Sequence, residues 1–323
     1  MRFIVYGVGA IGGAIAAALA LNGGDVVGIA RGAQLDAIRR DGLLLRTPAS
    51  ARRAHFECVA TPSEISFRPD DVVLLTMKSQ DTAAALLDLR DAGVEAQPVL
   101  CAQNGVANER MALRLFPNVY GVTVMMPVDY LVAGEINAFG APKHGILEIG
   151  RCPSGTDAVV DAICTALQGA GFAAFAEPKV MDGKYGKLLM NCHNVVEAAL
   201  GNGVDSTALR ARVREEAEAV YRAAGIAWRN VGADDRRKAL LQVTDIDGVS
   251  RVGSSSSQSL KRGVGSIETD YLNGEIVLLG RLHGVPTPLN AALCQLGHDL
   301  IATQQGPGSV TPDELDRRLA AAA

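Results

Sequence analysis

Aromatic side chains make up only 4% of this 323-residue chain, and there is a single tryptophan. Few planar rings are on hand to stack against bases, and 31 basic against 35 acidic residues leave a net charge of −4 rather than a field that draws polyanions. Nucleic acid is therefore not an expected partner. Cysteine is also sparse. The six residues, Cys58, Cys101, Cys152, Cys164, Cys192 and Cys294, form no CxxC pair and have no histidines at zinc spacing. Neither a metal site nor a disulfide framework is expected, and reduced thiols in a cytoplasm fit best. A long apolar run is missing as well. The candidate Ile11 to Leu21 is too short to span a bilayer, and Arg2 alone precedes it as a positive charge, so neither export nor membrane anchoring is expected.

What is present is an ordinary globular balance, 48% hydrophobic and 20% charged, in a chain long enough for two domains. The first half alternates strand-like and helix-like segments. Strands are predicted at Arg2–Val8, Asp25–Ala30, Asp71–Met77, Pro98–Ala102, Tyr120–Met125 and Gly145–Gly150, with helices at Ser79–Arg90, Asn108–Leu115 and Asp157–Gly171. Non-alternating Val/Ile/Leu runs suit strands covered on both faces, the pattern of an α/β parallel sheet. Beyond Pro178 the pattern is helical, over Val180–Leu200, Ser206–Ala224, Ser266–His283 and Thr287–Gln304. Thr287 and Thr311 each precede a proline at a helix start, and Glu314 stands where a capping box with Thr311 needs it. The boundary is placed at Pro178, giving an α/β domain over 1–178 and an all-α domain over 179–323. The serine run Ser254–Ser259 is read from composition as a flexible loop.

Gly7, Gly9 and Gly12 form GxGxxG between a strand and a helix, followed by a second strand about 20 residues on. Gly7 permits the tight turn, Gly9 lets backbone approach a pyrophosphate, and Gly12 lets helix pack closely on strand. With Val8, Ala10 and Ile11, these residues form a dinucleotide cradle at a helix N-terminus, whose N–H groups and dipole favour phosphate. Arg31 occupies the end of the second strand, where an acid would hold a ribose hydroxyl, so a 2′-phosphate and hence NADP(H) is expected. Lys78 in "LLTMKSQDT" and Asn104 in "LCAQNGVANE" stand at later strand ends facing the same crevice. In the helical half, Lys187, Asn191 and Asn194 fall at i, i+4 and i+7 on one predicted helix face. Lys184, one turn earlier, competes with Lys187 for a functional role and is read as solvated, and His193 is read as structural. Glu268 and Asp270 open the predicted helix from Ser266, where acids commonly serve the dipole.

In their order, GxGAIG, Arg31, T-x-K-S, QNG, KLxxN, the serine run and E-x-D-Y-x-N-G make the chain similar to the ketopantoate reductase family over nearly its whole length. The resemblance implies a Rossmann-type domain followed by an all-α domain like the C-terminal domain of 6-phosphogluconate dehydrogenase, NADPH as reductant, a 2-oxo acid substrate and a homodimer. It implies Lys187 as general acid, Asn191 as a substrate contact and Glu268 as the partner of the substrate hydroxyl. Lys78 and Asn104 would lie beside nicotinamide and substrate. The serine that meets the carboxylate matches Ser255 when aligned on SSxxQ, or Ser256 when counted back from Glu268. The family continues KLxxNxxxNP, whereas Val195 and Val196 stand at those last positions and Asn194 is displaced by one residue. A reductase of another 2-oxo acid, ketone or imine therefore stays open, as does a non-catalytic sensor of NADPH.

Overall fold

The apolar run Arg2–Tyr6 forms strand β1, buried along its whole length. Phe3 and Val5 pack into one hydrophobic cluster and Ile4 and Tyr6 into another, so the strand is covered on both faces. The computed structural model describes residues 1–233, 235–263 and 265–320. They divide into two units: Met1–Gln103 with Ala107–Lys184 and Gly232–Ser250, and Asn104–Val106 with Tyr185–Val231 and Arg251–Ala323.

In the first unit β1 is followed by α1 (Ala10–Leu21), β2 (Asp25–Ile29), α2 (Gly32–Asp41), β3 (Leu43–Thr47), β4 (Ser50–Ala54), β5 (Glu57–Val59), β6 (Asp71–Leu75), α3 (Thr82–Asp91), β7 (Val99–Cys101) and α4 (Asn108–Ala112). Then come β8 (Val119–Met125), β9 (Val128–Asp129), β10 (Glu135–Ala138), β11 (Gly140–Pro142), β12 (Ile146–Arg151), α5 (Ala158–Gly169) and β13 (Ala173–Ala176). Eight strands make the main sheet in the order β13-β12-β8-β7-β6-β1-β2-β5, parallel except where β12 meets β8. The connections leave β1 in opposite directions, so the junction of β1 and β6 is a topological switch point, where doubly wound sheets bind ligands. Tyr6 is level with both Ile29 and Leu75, which brings the turn at Gly7, the segment at Arg31 and the loop Thr76–Lys78 out at one edge.

The predicted strands of the main sheet form, most of them one or two residues shorter than expected. The four-stranded sheet β4-β3-β10-β9 was not expected, because β4 is largely exposed and polar and β9 spans two residues. Helix α6 (Val180–Asn191) crosses the division between units, which falls after Lys184 rather than at Pro178. After α7 (Asn194–Leu200) and α8 (Thr207–Ala224), α9 (Asp235–Leu240) and β14 (Leu241–Val243) return to the first unit, where β14 pairs antiparallel with β11. The range 179–323 is therefore not helical throughout. α10 (Ser255–Lys261), α11 (Asn273–His283), α12 (Pro288–Ala302) and α13 (Pro312–Ala320) complete the second unit.

Three local expectations change. The serine run is a helix rather than a loop: Ser254 caps α10 by accepting from the Ser257 N–H, and Ser256, Ser257 and Ser259 are buried. The helix predicted from Ser266 begins at Asn273, preceded by a 3₁₀ turn over Thr269–Tyr271. Thr311 accepts from the Glu314 N–H, but the Glu314 carboxylate takes Arg318 instead of reaching back to complete a box. All six cysteines are free. Among the described residues, no helix is long and apolar enough to cross a membrane.

Candidate active site

The glycine turn follows directly from β1. Gly7 holds φ +103°, a conformation that disfavours any L side chain, and donates to the Ile29 carbonyl at 3.0 Å. A Cβ on Gly12 would lie 2.3 Å from Thr76 Oγ1 and 2.4 Å from the Gly7 carbonyl, so only hydrogen lets α1 start this close to the sheet. Thr76 Oγ1 in turn donates to the carbonyls of Tyr6 and Gly7. At Gly9, by contrast, a Cβ would meet nothing within 4 Å, and Gly9 N-caps α1 with no side chain to occupy the first-turn N–H groups. Val8, Ala10 and Ile11 lie along the same turn. The turn thus leads straight into a helix N-terminus, where the first-turn N–H groups of an α-helix have no intrahelical acceptor, an arrangement that suits a pyrophosphate. Gln34, which the sequence did not single out, is buried and clamps the turn from behind: its Nε2 donates to the Val8 carbonyl at 2.8 Å, while its Oε1 accepts from Gly134 N–H.

Arg31 is exposed at the end of β2 and N-caps α2 with extended backbone. It lies close to the Tyr6 hydroxyl, which burial pushes above its ordinary pKa and which the Arg31 guanidinium pulls back. Lys78 is half-buried just beyond β6 and Asn104 half-buried just beyond β7. The loops that carry them are tied together in the first unit by buried polar groups. Gln103 donates to Thr82 Oγ1 at 2.7 Å, Thr82 to Asn108 Oδ1 at 2.8 Å, and Asn108 to Ser79 Oγ at 3.1 Å.

Lys184 overturns its sequence reading. It is 2% exposed rather than solvated, and its ammonium donates to the carbonyls of Cys101 at 3.1 Å and Gln103 at 3.0 Å while pairing with the fully buried Glu109 carboxylate. An ammonium has three protons, so Lys184 is saturated. Burial raises the Glu109 carboxyl above the usual carboxylate range, and Lys184 opposes that rise.

In the second unit, the single helix predicted over Val180–Leu200 breaks between Asn191 and Asn194. Lys187 and Asn191 lie on α6, whereas Asn194 is the first residue of α7, so the expected single stripe is interrupted. The Cys192 carbonyl freed by the break accepts from Asn273 Nδ2 at 2.9 Å, and Asn273 also donates to Asn290. Sequence reading gave Asn273 no role, because its partner is 81 residues away. Lys187 is half-buried, and Asn191 is buried with an Oδ1 that has no hydrogen-bond partner. Asn194 donates to Ser255 Oγ at the long end of hydrogen-bond range, 3.5 Å, and its carbonyl accepts from Ser254 Oγ at 3.2 Å. Ser255 is half-buried and Ser256 is 3% exposed. Glu268 is buried and N-caps the 3₁₀ turn before α11, while Asp270 lies outside and pairs with His298. Val195 and Val196 are core residues of α7.

Two sequence profiles match the chain, ketopantoate reductase PanE/ApbA over residues 3–154 and its C-terminal domain over residues 179–300. A 2-dehydropantoate 2-reductase of Pyrococcus horikoshii is 27% identical over 301 residues, 92% of this chain and 96% of its own length. One from Caulobacter vibrioides is 29% identical over 307 residues, 90% of this chain and 96% of its own. Among solved structures, a PanE/ApbA family ketopantoate reductase of Ralstonia eutropha is 28% identical with a TM-score of 0.76, over 94% of this chain and all of that one. A D-mandelate dehydrogenase bound to NADH and anilino(oxo)acetate shares the fold with a TM-score of 0.78 at 22% identity, over 94% of this chain and 99% of that one.

Proposed function

Because this chain belongs to the ketopantoate reductase family, and so to the oxidoreductases that act on CH–OH groups, we propose that it reduces the 2-oxo acid 2-dehydropantoate to pantoate with NADPH. When bound, the nicotinamide supplies a hydride to the 2-oxo carbon. In this reading the Gly7–Gly12 turn and the N-terminus of α1 hold the pyrophosphate, Arg31 pairs with the 2′-phosphate, and Lys78 and Asn104 serve the nicotinamide end. Lys187 donates a proton to the substrate oxygen as negative charge develops there, and is reprotonated from solvent. Asn191, Asn194 and the serines orient the substrate, Ser255 ahead of the more deeply buried Ser256, and Glu268 accepts the substrate hydroxyl.

The observation that supports this most is the burial of Lys184: of the two lysines one turn apart on α6, it is held within its own unit by two carbonyls and the Glu109 carboxylate, which argues against it as the acid. Asn191 adds to it. A buried amide oxygen without a partner costs about 1–3 kcal/mol, a cost that a ligand donor relieves. The test follows NADPH absorbance on addition of 2-dehydropantoate. Lys187→Ala is expected to lower kcat by about 10²–10⁴-fold while still binding NADPH, and unchanged turnover refutes the lysine assignment. The buried Val195 and Val196 favour a second reading, a different 2-oxo acid on the same chemistry. A higher kcat/KM for another 2-oxo acid than for 2-dehydropantoate would select it.

A further inference from the structure

The second unit contains a polar cavity of about 330 Å³ that none of the residues assigned above enters. Its size is at the small end of ligand pockets. Three pieces of chain build it: His193 at the α6–α7 break with Glu197 on α7, the start of α8 with its N-cap Ser206 and Arg210 in its first turn, and the Arg251–Gly253 segment that leads into α10. Gly253, at φ +111°, passes so close to Glu197 that a Cβ would lie 2.5 Å from its Oε1. That oxygen accepts the Ser254 N–H at 2.6 Å, so the one carboxylate in the lining is turned to backbone.

The cationic groups have no such engagement. Arg210 and Arg251 are both exposed and enter no salt bridge among the described residues. Ser206 N-caps the 18-residue α8 without using its side chain on that helix, and its hydroxyl meets His193 Nε2 at 2.9 Å. His193 is 6% exposed, and its Nδ1 has no partner. Two uncommitted guanidiniums, a hydroxyl and a buried imidazole thus surround a small polar space. Guanidinium presents its donors as a planar fork that matches carboxylate or phosphate oxygens.

We propose that this cavity is a second ligand site, which binds a small oxyanion of the phosphate or carboxylate class between Arg210 and Arg251. The site adjoins α10 through Glu197 and the Ser254 N–H, so its ligand is expected to change the apparent KM for the 2-oxo acid by linkage. Binding of the oxyanion is independent of the reductase reading and is measured without turnover.

The experiment titrates the whole protein, saturated with NADP⁺ so that the glycine cradle is filled, with inorganic phosphate and separately with malonate, by calorimetry. Saturable binding of at least one is expected, weakened about tenfold or more in Arg210→Gln and in Arg251→Gln. Stronger response to phosphate assigns a phosphate ligand, and to malonate a carboxylate. Both arginines are exposed, and an unchanged Trp228 emission and circular dichroism spectrum verify the fold of each variant. Absence of saturable binding by either anion, or binding equal in wild type and both variants, overturns the proposal.

Discussion

Replacing Lys184 by methionine keeps most of the aliphatic stem and removes the ammonium, which leaves Glu109 at 0% exposure with no cation and two carbonyls without their donor. Breaking a buried pair from one side costs about 3–5 kcal/mol, at least about a fifth of the stability of a typical domain, about 5–15 kcal/mol. The deficit carries a pH signature. Burial already raises the Glu109 carboxyl and Lys184 is what opposes the rise, so in the variant the folded-state pKa climbs further above its unfolded value. The folded state then binds the proton more tightly, and stability is lost as pH rises through the interval between the two values. The penalty is therefore largest near neutrality and shrinks by about 1.4 kcal/mol per pH unit within that interval as pH falls towards about 4.3. Urea unfolding followed by far-ultraviolet circular dichroism from pH 5 to 8 measures it. Emission from Trp228, the single tryptophan and part of the second unit, reports that unit separately. A double variant, Lys184→Met with Glu109→Gln, is expected to recover part of the loss. A cost below about 1 kcal/mol at pH 7, or one that does not shrink with acid, refutes the view that a committed buried pair underlies the loop after β7.

Three further outcomes are expected. Gly9→Ala is expected to fold with wild-type stability, since its methyl group meets open space, yet to bind NADPH about tenfold or more weakly by titration. Gly12→Ala is expected to lose both, at about 1–3 kcal/mol of stability, because its methyl group meets Thr76 and the Gly7 carbonyl. Wild-type affinity in Gly9→Ala would exclude backbone approach of a phosphate there. Burial, with Arg210 second, pushes His193 down to about 4. Its folded pKa is depressed, so the folded state binds fewer protons, and the stabilisation present above about 6.5 is lost as pH falls towards 4. Thermal midpoints across that range are expected to fall in the wild type and to flatten in His193→Gln, and equal slopes would contradict it.

Much of the first unit was legible because its signals are local. A buried strand, a glycine-rich turn and a helix lie within about 20 residues, and the constraints on Gly7 and Gly12 come from atoms beside them at the end of β6 and in the turn itself. The second unit was less legible. Val180–Leu200 reads as one apolar-periodic helix, and its break depends on Asn273, far along the chain, taking the Cys192 carbonyl. The serine run reads as loop by composition, yet Ser254 caps it and packing against α7 makes it a helix.

By itself the sequence located six of the eight strands of the main sheet, the glycine turn from Gly7 to Gly12, Arg31 at the end of β2, and which lysines compete for chemistry. Those properties rest on backbone conformations and spacings set within a few residues. The tertiary structure alone set the surroundings of the competitors. Lys184 and Lys187 differ by one helical turn in sequence, but only the fold places Cys101, Gln103 and Glu109 around the first. A lysine's partners are fixed by chain segments some eighty residues away, which no local pattern encodes.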